Sequence, residues 1–120
     1  MFPFVVTTRR AFVHEAHVHL NVGVDPDAVG AAVTAALCGH WEHEGACRWP
    51  HNNAICVDST PAAFRTLFIA MPDDEAEVRA RIEGALRDAD DWLIAAAGRR
   101  ELHPSEESLA RRLAEQAAAR

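Results

Sequence analysis

The tightest constraint on this chain is a run with a period of two. Over residues 12–24 the even positions Phe12, Ala16, Val18, Leu20, Val22 and Val24 are mostly apolar, whereas Glu15, His17, His19 and Asn21 are polar. Such alternation sends successive side chains to opposite faces, so it demands a β-strand with one face in a core and the other toward water or a partner. His14 falls on the apolar side. A helix start follows at once, with Asp25 as N-cap, Pro26 at the first helical position and Asp27 near the positive end of the helix dipole. Val29, Ala32, Val33, Ala36 and Leu37 make its apolar stripe, and Gly39 is its natural stop.

The remaining segments are read by the same two periods. Residues 2–7 alternate like a strand that begins at Pro3. After the first helix, a strand is expected around residues 41–44 and a loop through 45–53. Residues 54–58 and 64–71 are β-rich and are separated by Asp58-Ser59-Thr60-Pro61, a turn signal that predicts antiparallel neighbours. Pro72, Asp73 and Asp74 open a second helix, with Asp74 and Glu77 in capping-box spacing. Val78, Ile82, Leu86, Ala89, Leu93 and Ala96 keep helical spacing as far as Gly98 and predict one long helix; a final strand at Trp92-Leu93-Ile94 after an Asp90-Asp91 turn is the alternative. His103-Pro104-Ser105 caps a terminal helix with Leu109 and Leu113 on its stripe.

The resulting order, β-β-α-β-β-β-α-α, predicts an α+β fold: an antiparallel sheet with helices packed on one face, a ferredoxin-like or related two-layer sandwich. A chain of 120 residues is the size of one domain, spanning 1–120, with 99–120 a C-terminal helix at its periphery. The uncovered face would carry Glu15, His17, His19 and Asn21. Pairing of two copies through that face, or through the C-terminal helix, would also hide Phe68 and Trp41, so a homodimer is expected.

Charge narrows the partners. The net charge is −6 and all 12 basic residues are arginines, scattered as pairs rather than patches, so nucleic acid is not expected as a partner. No uninterrupted apolar run approaches the roughly 20 residues that span a bilayer, and no membrane association is expected. The expected location is the cytoplasm. With 3 Cys a fully paired disulfide framework is impossible, and a reducing compartment favours metal ligation, thiol chemistry or burial.

Candidate chemistry gathers in two places. Residues 38–56 hold all 3 Cys together with His40, His43 and His51. His17 and His19 stand two apart on the strand, presenting imidazoles on one face about 7 Å apart at the backbone. Borderline and soft donors of this kind suit zinc first, with nickel, cobalt and copper also compatible, and the expected metal ligands are drawn from His17, His19, His43, Cys47, His51 and Cys56. Trp41, Trp49 and Glu15 are the expected ligand-binding residues for a small molecule. Locally, His17-Val18-His19-Leu20-Asn21 resembles the metal-binding strand of the regulatory domain in nickel-responsive ribbon-helix-helix repressors. The resemblance covers only those five residues; Asp25 and Pro26 occupy the stretch where that family's Cys lies, and no residue role is carried over.

Blander readings stand beside these. Two histidines on a strand face are commonly solvated or interfacial, Cys38 suits a small buried apolar position, and His40 suits a helix terminus. The spacings of four, four and five residues between His43, Cys47, His51 and Cys56 match no standard zinc-finger pattern. The competing functional classes are a dimerisation or adaptor module, a small-ligand-binding module, and a thiol enzyme with Cys47 or Cys56 as nucleophile and His43 or His51 as base.

Overall fold

The structure, a computed structural model, describes residues 8–38 and 48–118, with side chains as far as residue 116. The alternating segment forms β1 (Arg10–Leu20), followed by α1 (Asp27–Cys38), β2 (His51–Cys56), β3 (Ala62–Ala70), α2 (Glu75–Arg87), β4 (Trp92–Arg100) and α3 (Glu107–Ala118). The four strands make one antiparallel sheet in the order β2-β3-β1-β4. β1-α1-β2 is therefore split by β3, an order compatible with the ferredoxin-like sandwich. The expected strands at 2–7 and 41–44 lie outside the described residues, as do His40, Trp41, His43 and Cys47.

β1 stops earlier than its alternation suggests. The chain turns through Val22 and Gly23, which has φ +84°, and Val22 is fully exposed rather than on the buried face. A left-handed residue ends strand pairing, and glycine adopts it without a Cβ clash. Asp25 then caps α1, its carboxylate accepting from the Asp27 backbone N–H at 3.0 Å.

The long helix expected through residue 98 is corrected: α2 ends at Arg87, and residues 92–100 form the edge strand β4. Helical spacing continues through Ala89 and Leu93, but Trp92 is held by tertiary packing, buried with its indole N–H donating to the Leu86 carbonyl at 2.8 Å. The capping box at Asp74 is corrected too. Pro72–Asp74 is a short 3-10 turn, and the Asp74 carboxylate makes no cap but faces Arg48 and the Trp49 indole N–H instead.

The main core lies between the sheet and the pair α1 and α2. Ala16, Val18, Phe64, Phe68 and Ala70 meet Val29, Val33 and Leu37 from α1 and Val78, Ile82 and Leu86 from α2, with Trp49 and Trp92 at the ends. Phe68 is fully buried here against Phe12, so the expectation that a dimer would be needed to hide it is corrected. On the opposite face a smaller core joins Val13, Leu67 and Ile69 to Ala110 and Leu113 of α3. The C-terminal helix thus adds a third layer on that face through Ala110 and Leu113. Among the described residues no helix is long and apolar enough to cross a membrane.

Candidate functional site

The register sorts the chemically active side chains by face. His51, Asn53 and Ile55 of β2 lie opposite Phe68, Thr66 and Phe64, beneath α1. Asn52, Ala54 and Cys56 point the other way, and Cys56 heads a row that runs across Ala63 of β3 to His17 of β1. His19 stands two residues further along the same strand.

Beneath α1 the polar groups close into a chain of hydrogen bonds. The Thr66 hydroxyl, fully buried, donates to Asn53 Oδ1 at 2.8 Å, and Asn53 Nδ2 donates to the Gly30 carbonyl at 3.0 Å and to Thr34 Oγ1 at 3.1 Å. His51 Nδ1–H donates to the Trp49 carbonyl at 3.0 Å, which leaves Nε2 to accept from the Thr34 hydroxyl at 2.9 Å. Burial lowers the His51 pKa, overriding the opposing effect of the Trp49 bond, so the ring is neutral with both nitrogens committed. Gly30 makes this possible: a Cβ there would stand 3.2 Å from Asn53 Cβ, closer than a helix and a strand normally pack.

A second cluster surrounds His14. Its Nε2–H donates to Glu83 at 2.7 Å, and its Nδ1 accepts from Arg79 at 2.9 Å. Arg79 also donates to the Val13 carbonyl and to Glu75, and its guanidinium lies over the Phe68 ring at 5.3 Å. Burial lowers the His14 pKa despite Glu83, which fixes a neutral imidazole here as well. The alternation had placed His14 on the apolar side; a histidine at such a position needs partners from the facing helix, and α2 supplies them.

Among the described residues, the outer face has a sealed half and a bare half. Arg65 donates to Glu15 at 2.8 Å and to both carboxylate oxygens of Glu106 at 2.8 and 2.9 Å, tying the sheet to the turn before α3. Glu106 in turn accepts from the His103 backbone N–H. The Glu106 bond raises the Arg65 pKa, and the Arg65 bond lowers that of Glu106. For Glu15, burial pushes the pKa up but the Arg65 and His17 hydrogen bonds outweigh it, and the carboxyl is held low. Beyond this clamp lie His17, half exposed with Nε2 at 3.4 Å from Glu15, then His19, Ala63 and the exposed free thiol of Cys56. His19 also lines a shallow cavity of about 160 Å³ with Val57, Ser59 and Thr60.

Of the residues expected to act together, His17, His19 and Cys56 share the bare half-face, with Glu15 beside them. His51 is on the opposite face with α1 between it and solvent, so a Cys56 thiol has no His51 base within reach. Trp49 is buried, 4.5 Å from the Arg48 and 5.0 Å from the Arg81 guanidinium. Cys38, expected as a plain apolar residue, is disulfide-bonded. Trp41, His43 and Cys47 lie outside the described residues. Among the described residues no group of three His, Cys, Asp or Glu side chains stands close enough together to hold a metal as it is. No family model, curated protein or solved structure matches this chain.

Proposed function

We propose that the protein binds a transition metal, zinc fitting its donors best, on the bare half of the outer face, with His17, His19 and Cys56 as protein ligands. The observation that carries this reading is the row Cys56, Ala63, His17 across three strands, with His19 beside it. Strands about 4.8 Å apart put the Cys56 and His17 backbones about 10 Å from one another. The small Ala63 between them leaves room for both side chains to lean inward onto one ion, with Zn–N near 2.0 Å and Zn–S near 2.3 Å. Among the described residues, His17 has only the long 3.4 Å contact to Glu15 to give up. Three protein donors leave one coordination position for water, a small ligand or His43, and an open position suits a catalytic or sensory site.

Titration of purified, reduced protein with Co(II) and Zn(II) tests it. The expected result is one equivalent per chain with a thiolate-to-cobalt absorption band, which Cys56→Ser abolishes and His17→Ala weakens by roughly tenfold or more. No uptake, or uptake untouched by either substitution, would overturn the assignment. The second reading, a small-ligand or dimerisation module without metal, is favoured by the separation of the donors in the structure.

A further inference from the structure

The sheet ends at β4, and among the described residues no strand pairs with its outer edge. Natural edge strands are guarded by charge, proline or shortness. The other edge, β2, is six residues long and begins His51, Asn52, Asn53. The middle of β4 has none of these guards: residues 93–98 carry no charge and no proline, and Leu93 is 72% exposed. Charge is confined to its ends with opposite signs, Asp90 and Asp91 before the strand and Arg99 and Arg100 at its close. An acidic start, an apolar middle and a basic end make a segment that complements itself when antiparallel.

A bulge sets the register. Ala96 pairs with His17 and Ile94 with Val18, so Ala95 is an extra residue. Because of it Leu93 and Gly98, five positions apart, share the outer face opposite His19 and Glu15, and by the same count so do Asp91 and Arg100. A twofold axis between Ala95 and Ala96 then sets Leu93 across from Gly98, Ile94 across from Ala97, and Asp91 across from Arg100 of the second copy, with faces matching throughout.

We propose that two copies of the chain pair through β4 in this register, joining two four-stranded sheets into one. The charged ends are available for it. Arg100 reaches Glu15 only at 3.7 Å and Arg99 reaches Glu75 only at 3.7 Å, contacts too long for hydrogen bonds, and both side chains are at least half exposed. The Asp91 carboxylate has no ion-pair partner among the described residues. A shallow cavity of about 200 Å³ lined by Leu86, Arg87, Ala89, Trp92, Leu93 and Ile94 runs beside the edge. A bulge is also a means of keeping an edge unpaired, and the assembly state separates the two roles.

Sedimentation equilibrium of the full chain from micromolar to submillimolar concentration, with and without a metal chelator, provides the test. The wild type is expected to dimerise in both conditions, which keeps the outcome separate from that of the metal reading. Asp91→Arg and Arg100→Asp, by opposing like charges, should each weaken the dimer by roughly a hundredfold, and the double variant should recover most of the loss. Circular dichroism of each variant verifies its fold. A monomeric wild type over the whole range overturns the proposal, as does a dimer indifferent to the single substitutions or one that the double variant fails to restore.

Discussion

The two faces of the sheet use the same residue types for opposite ends. On the helix-facing side His14 and His51 are each gripped at both ring nitrogens and kept neutral by burial. On the outer side His17 has one long contact, and Cys56 is an exposed free thiol. One step along a strand separates His14 from Glu15, or Asn53 from Asn52, and that step decides between structural cement and an available donor. A histidine's role is thus set by the parity of its position and by what the facing layer offers, before any consideration of its own chemistry.

The largest effect expected from breaking this contrast is at Asn53. Asn53→Ala strips Thr66, Gly30 and Thr34 of their shared partner and should cost about 3 kcal/mol, since orphaned buried groups cost about 1–3 kcal/mol each. Asn52→Ala, the neighbour on the outer face, should stay within about 0.5 kcal/mol. Urea midpoints at constant slope compare the two directly, and equal losses would mean that the faces do not differ as described. Next comes Arg65→Ala, which should cost about 2 kcal/mol and act locally. Amide exchange in α3 should accelerate, while α1 and α2 remain protected; uniform acceleration would show that Arg65 supports the whole fold rather than the third layer.

The pH response sharpens the comparison with a smaller and graded effect. His14 and His51 have folded pKa values below the ordinary 6.5, so the unfolded chain binds protons that the folded chain refuses. Their stabilisation is therefore complete above pH 6.5 and is lost as pH falls toward the folded values, at up to about 1.4 kcal/mol per pH unit for each ring. Glu15, Glu83 and Glu106 are held below 4.5, and their contribution fades only in that lower window. Urea midpoints between pH 7.5 and 5 should fall for the wild type and for His17→Ala alike; a flat profile would place charged histidines in the folded state.

How far these features could be read from sequence depended on where the deciding contact lies. β1, the Asp25 cap and the β2 and β3 hairpin were legible because alternation, capping and turn chemistry are local. β4 was legible only as the alternative to a longer helix, because Leu86, Ala89 and Leu93 satisfy a helical period equally well, and the indole bond from Trp92 back to Leu86, which favours the strand, has no local signature. The donor set in residues 38–56 divided for a similar reason. β2 begins at His51 rather than Ala54, and only the pairing with β3 tells which of His51 and Cys56 faces α1. The His14 cluster announced itself only as a polar residue at an apolar position, its partners lying 65 and 69 residues away.

The covering of Val13, Leu67 and Ile69 by α3 has a consequence for biosynthesis. All four strands have been made once Arg100 is added, yet these three side chains stay wet until Ala110 and Leu113 follow. During translation the nascent sheet therefore passes through an interval in which one face is finished and the other is adhesive, and a ribosome stalled between those points would present that surface to its neighbours.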